Sequence, residues 1–184
     1  MDTGPAPFVL ASALASYPRH GLSESLDVLI EDSGETVPAE LGALIRDWTS
    51  PERLEDLQSE YIALFDNGKE ASPACETEYD RRRVAGKGAA LSDIAGFYHA
   101  FGFELDPARE AREMPDHAGT ELEFHALMRM KAVHLAEAGD LEGSEIVADG
   151  MAKFLDAHLG RFIGAIGRRP AVAASAFYGP VYAW

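Results

Sequence analysis

The sequence predicts an all-α protein, folded as a single-domain compact helical bundle over residues 1–184. Three observations carry that expectation. Apolar residues recur at helical spacing almost throughout, no strand-length window alternates with period two, and prolines and glycines punctuate the chain between apolar stripes. Leu22, Leu26, Leu29 and Ile30 form the first clear stripe, and Leu41, Leu44, Ile45 and Trp48 the second. Pro18 and the Ser33-Gly34 pair separate these helices, while Pro38 supplies a preset φ for an opening turn.

Ser50 is placed to cap the next helix, with Pro51 at its first position and Leu54, Leu57, Tyr61, Leu64 and Phe65 along one face. Asn67-Gly68 should end it through a left-handed turn. Lys69 to Glu78, with Pro73 near its middle, reads as a loop. Leu91, Ile94, Ala95, Tyr98 and Phe101 then mark a helix that stops at Gly102, and the stretch from Glu104 to Met114 connects it onward. Asp116 stands where its carboxylate would cap a long helix running to about Ala138 and stopped by Gly139. A last long helix should open at Ser144. Its stripe is Ile146, Gly150, Phe154, Leu155, His158, Phe162, Ile163 and Ile166, and Pro170 should close it, with Pro180 limiting whatever helix follows.

Composition narrows the chemistry. The apolar fraction of 47% is ordinary for a globular chain, and no apolar run approaches the roughly 20 residues needed to cross a bilayer, so stable membrane insertion is not expected. The first residues carry an acid in place of the basic region of a secretory signal, and the single cysteine, Cys75, suits a reducing compartment; both readings favour the cytoplasm. Cys75 has no adjacent base in sequence and reads as a small loop residue. The net charge of −15 repels nucleic acid and attracts cationic peptides.

Few residues have the spacing of a catalytic centre. No phosphate-cradling loop is present, since Gly86-Lys87-Gly88 is too short, and Arg81, Arg82 and Arg83 follow Glu76, Glu78 and Asp80 closely enough to pair with them on the surface. His99, His134 and His158 read as packed histidines within helices. His117, Glu121 and His125 fall at i, i+4 and i+8, so the alternative to a binding protein is a small metal-dependent hydrolase built on those three. Against it, the chain lacks a His-Glu-x-x-His signature and a cysteine cluster. Asp116 and His117 stand at a loop-to-helix junction, where both can face a cleft, and no nucleophile accompanies them. Paired with the Tyr61, Leu64 and Phe65 face, they suggest a groove for a cationic segment followed by an apolar one.

These stretches carry a resemblance. Tyr61-x-x-Leu64-Phe65, then Gly68, a Pro73-centred loop with Glu76, and Glu113-Met-Pro-Asp-His117 opening a long helix resemble the TorD/DmsD/NarJ family of dedicated molybdoenzyme chaperones. The likeness continues through Glu121 to Phe124 and Phe154 to Phe162, so it extends from about Leu54 to Phe162. It implies an all-helical, non-enzymatic protein that binds the twin-arginine signal peptide and apo catalytic subunit of a molybdopterin-containing oxidoreductase, and assists cofactor insertion before export. By motif it implies that Tyr61, Leu64, Phe65, Gly68, Pro73 and Glu76 lie on one side of the peptide groove and Asp116 and His117 on the other. No cofactor is implied beyond weak guanine-nucleotide binding. The resemblance leaves open a monomer or a segment-swapped dimer, for which Gly139 to Gly143 would be the hinge. In this chain Pro115 directly precedes Asp116, one position later than the family's usual proline, and Asp66-Asn67-Gly68 lengthens the usual turn after Phe65.

Overall fold

The computed structural model describes residues 4–67, 71, 73–79, 86–105 and 114–184, and among them there is no strand, only helices and one isolated backbone bridge. Amphipathic stripes of the kind read above can bury their apolar sides only against one another, and they do so in a helix-on-helix packing. The helices are α1 (Ala6–Ala15), α2 (Leu22–Ser33), α3 (Ala39–Trp48), α4 (Leu54–Tyr61), α5 (Glu76–Tyr79), α6 (Lys87–Phe101), α7 (Ala118–Glu137), α8 (Leu141–Phe154), α9 (Gly160–Gly167), α10 (Pro170–Ala173) and α11 (Tyr178–Ala183). The longest, α7, packs against both α8 and α1, while α1 also holds α2 and α9 holds α11. One hydrophobic cluster runs from Leu10 through Leu57, Ile94, Phe124 and Phe154 to Tyr178.

Helix ends follow the local chemistry in some places and depart from it in others. Gly102 closes α6 with φ 71°, while Phe103 N–H donates to Tyr98 C=O at 2.8 Å and the two rings pack 4.8 Å apart. That is a Schellman end, with the hydrophobic contact that usually accompanies it. Gly139, at φ 84°, ends α7 through the equivalent bond from Asp140 N–H to Leu135 C=O. At the expected Ser50 cap the chain makes a turn first, and α4 begins at Leu54. The last long helix opens earlier than Ser144, because Asp140 accepts from Gly143 N–H at 2.9 Å and caps α8. Pro170 opens α10 instead of closing a helix, and part of the expected Lys69–Glu78 loop is helical as α5.

Two of the helices are continued by a wider turn. Two π turns, Ile62–Asp66 and Leu155–Leu159, continue α4 and α8, and in the first Asn67 N–H reaches back five residues to Ile62 C=O at 2.8 Å. A π turn is a short local widening of an α-helix, common where a helix meets a functional junction. Ile146 and Leu155, expected inside, are 59% and 41% exposed, while Val147 and Leu159 take buried places. Asn67 itself stays at φ −133°, not left-handed; Gly68 and the Arg81–Arg83 run lie outside the described residues.

Candidate functional site

The site is built where the end of α4 meets the start of α7. Leu54, Leu57, Tyr61, Leu64 and Phe65 are all buried, so the α4 face carries through the first π turn and delivers two aromatic rings to this junction. Tyr61 and Phe65 pack at 5.0 Å, Tyr61 also meets Tyr17 edge-on at 5.5 Å, and Phe65 meets Tyr178 edge-on at 5.2 Å. Arg169, from the α9–α10 connection, donates to Leu64 C=O at 3.2 Å.

On the opposite side the chain enters α7 through Pro115, whose carbonyl accepts from the Tyr98 hydroxyl at 2.8 Å, so the closed end of α6 holds this turn in place. The segment 74–76 then pairs with 116–118. Glu76 N–H donates to Asp116 C=O at 2.8 Å and Ala118 N–H to Ala74 C=O at 2.7 Å, making an antiparallel bridge between Cys75 and His117.

Asp116 does not cap α7. Its carboxylate is buried and accepts from Thr77 N–H at 3.0 Å, capping α5 across the bridge, and the α7 cap is His117. Gly119 N–H donates to His117 Nδ1 at 3.1 Å. Because Nδ1 accepts, the neutral ring carries its proton on Nε2, which lies 3.1 Å from the Tyr61 oxygen and donates to it. Thus the two stretches that the sequence singled out are joined by a hydrogen bond.

Their meeting leaves a cavity of about 340 Å³ open to solvent. Tyr61, Phe65, Pro73 and His117 line it, and exposed Asp66 stands at its edge. Tyr17, Arg19, Cys75 and Met114 complete the wall; Met114 is 51% exposed. Of the other residues expected here, Leu64 is buried in the core, Gly68 lies outside the described residues, and Asp116 and Glu76 are turned inward. Glu76 Oε2 accepts from His158 Nδ1 at 2.9 Å, with both side chains essentially inaccessible, and His158 Nε2 stands 3.4 Å from Asp93. These acids hold the site together from behind instead of facing a ligand.

Tyr17 and Arg19 escaped the sequence reading because they sit in the short connection before α2, far from both motifs. An aromatic and a base flanking Pro18 were the signal available. Cys75, a small residue of the bridge segment, lies in the cavity wall, where burial and then the nearby Asp116 carboxylate push its thiol up to about 12. The thiolate is therefore scarce at neutral pH, which disfavours Cys75 as a nucleophile.

The alternative triad does not assemble. Both His117 ring nitrogens are engaged as described, and His125 packs its ring 4.4 Å from that of Phe8. Among the described residues no group of three His, Cys, Asp or Glu side chains is arranged to hold a metal ion.

The chain matches the family described as nitrate reductase delta subunit over residues 33–167, a span that contains Tyr61, Phe65 and His117. It belongs to that family. This member of the family is 32% identical over 128 residues to the selenate reductase assembly chaperone protein of Thauera selenatis, and 30% identical over 128 residues to the chlorate reductase assembly chaperone protein of Ideonella dechloratans. Each match covers 68% of this chain and 64% of the relative, so the chain spans under two thirds of the length of these relatives. No solved structure matches it. The delta subunit family and these two names agree with the molybdoenzyme-chaperone resemblance drawn from Tyr61 to His117. Among its described residues no helix is long and apolar enough to cross a membrane.

Proposed function

We propose that this protein is a cytoplasmic assembly chaperone that binds the twin-arginine leader and the apo catalytic subunit of a molybdopterin-containing oxidoreductase, and releases them after cofactor insertion. Its work is binding. The observation that carries this reading is the 3.1 Å contact between Tyr61 and His117, which closes the floor of an open, largely apolar cavity with an acid at its lip. Apolar residues of a leader would enter against Phe65, Met114 and Tyr17, and leader arginines would meet Asp66 in the field of a chain with net charge −15. Asp116 and Glu76 contribute by fixing α5 and the bridge, so their substitution would act through the shape of the wall.

The test is titration calorimetry with a twin-arginine peptide and its twin-alanine variant. Met114→Glu and Asp66→Lys are chosen because both side chains are exposed and neither supports the core. Each should weaken the arginine peptide by about tenfold, the cost of a lost apolar contact or a reversed rim charge. Equal affinity across both peptides and all three proteins would remove the cavity from the function.

A further inference from the structure

Gln58 stands one turn before Tyr61 in α4, so the two side chains leave the helix as neighbours on one side. Both reach the α1–α2 connection. The Gln58 side-chain amide donates to Pro18 C=O at 2.9 Å, while Tyr61 meets the Tyr17 ring edge-on at 5.5 Å. Two consecutive residues of the connection are therefore held by α4, the helix that also delivers Phe65 to the cavity. Pro18 is buried and has no N–H, so its carbonyl is the backbone polar group that needs a partner at this point, and Gln58 supplies it. Tyr17 has the opposite character. Its side chain is 37% exposed and lines the cavity with Phe65, Met114 and His117, whereas Gln58 does not line it.

We propose that Gln58 is a positioning residue of the leader site: its hydrogen bond to Pro18 keeps the Tyr17 ring against Tyr61, where Tyr17 contacts an apolar residue of the leader. This rests on the reading of the cavity as the leader site and names a wall of it that the rest of the fold does not by itself explain. The physical link is the Pro18 carbonyl. Without a donor from α4 that acceptor must turn toward water, and the connection moves with it, carrying the adjoining Tyr17 ring away from Tyr61. An aromatic ring packed edge-on yet more than a third exposed keeps apolar area for a further contact, so its placement bears on what the cavity can hold. Gln58 acts only through that placement.

The experiment measures binding of a twin-arginine peptide by calorimetry to the wild-type chain, Gln58→Met, Tyr17→Ala and the double variant. Methionine matches glutamine in length and shape and lacks the donor. Tyr17→Ala should weaken binding by about tenfold, as loss of a large apolar contact does, and Gln58→Met by about fivefold. In the Tyr17→Ala background Gln58→Met should change affinity by less than about twofold, because the ring it places is already gone; a general structural loss would be the same in both backgrounds. Trypsin gives a readout without peptide. Arg19 is exposed and follows Pro18, so Gln58→Met should speed nicking after Arg19 by severalfold, identified by mass spectrometry, with an unaltered far-ultraviolet circular dichroism spectrum. Equal losses of affinity with and without the Tyr17 ring would overturn the positioning role, as would wild-type affinity or a wild-type nicking rate in Gln58→Met, and each of these leaves the cavity as the leader site. A wild-type chain that does not bind the peptide would overturn the leader site itself.

Discussion

Close approach between backbones sets the strictest demands at the level of single residues. At Gly119, in the first turn of α7, an added Cβ would lie 2.3 Å from Ser16 Oγ and 3.2 Å from Ser12 C=O, and the Ser12 hydroxyl donates to Gly119 C=O at 2.7 Å. Gly119→Ala should therefore cost about 1–3 kcal/mol in urea unfolding, by forcing α1 off α7. His125 gives a pH signature. Burial, and secondarily Arg129, lower its pKa from 6.5 to about 4, and its Nδ1 makes no hydrogen bond among the described residues. Between those values the unfolded chain binds the proton and the folded one does not. Stability from this group is thus complete above about pH 6.5 and is lost as pH falls toward 4, by on the order of 2–3 kcal/mol. Relative to wild type, His125→Leu should show a flatter stability profile across that window, measured by denaturant unfolding at successive pH values. An identical profile would mean the ring is not held neutral by its surroundings.

Two π turns continue the helices α4 and α8. In α4 the apolar face of Leu54, Leu57 and Tyr61 continues into Leu64 and Phe65, and all five are buried, so the sequence pattern was legible across the turn. In α8 the sequence stripe put Ile146 and Leu155 inside, and both are exposed, while Val147, Phe154 and His158 are buried. His158 then reaches Glu76, which explains how a residue in the Pro73 loop motif came to be buried. Gly150 permits the other close contact of α8: a Cβ there would lie 2.2 Å from the tip of the Phe101 ring. Helix ends supply a simpler test. At φ 71° Gly102 occupies a conformation that a side chain disfavours, so Gly102→Ala should lower stability by about 1 kcal/mol and reduce the melting temperature by a few degrees. Because Tyr98, three residues inside that end, holds the Pro115 carbonyl, the same variant should also weaken leader binding.

Charge acts on the scale of the whole molecule. With 31 acids against 16 bases, the field that draws an arginine-bearing leader extends beyond any contact and is screened by salt. Raising ionic strength from about 50 to about 500 mM should slow association of a twin-arginine peptide by about tenfold with little change in its dissociation rate, as stopped-flow fluorescence would register. A salt-independent association rate would confine recognition to the apolar cavity walls.

The all-helical class, most helix positions, the Gly102 and Gly139 ends and the pairing of Tyr61–Phe65 with Asp116–His117 as the two notable stretches all followed from the chain read as a string, because apolar periodicity and left-handed glycine ends are local properties. Which partner each polar group would find was not local. Asp116 caps α5 instead of the helix it precedes, Glu76 binds a histidine from a distant π turn, and Tyr17 enters the site from a connection with no motif. Only packing decided these, since a buried carboxylate must be satisfied by whichever donor the folded backbone brings within reach, and that donor need not be near it in sequence.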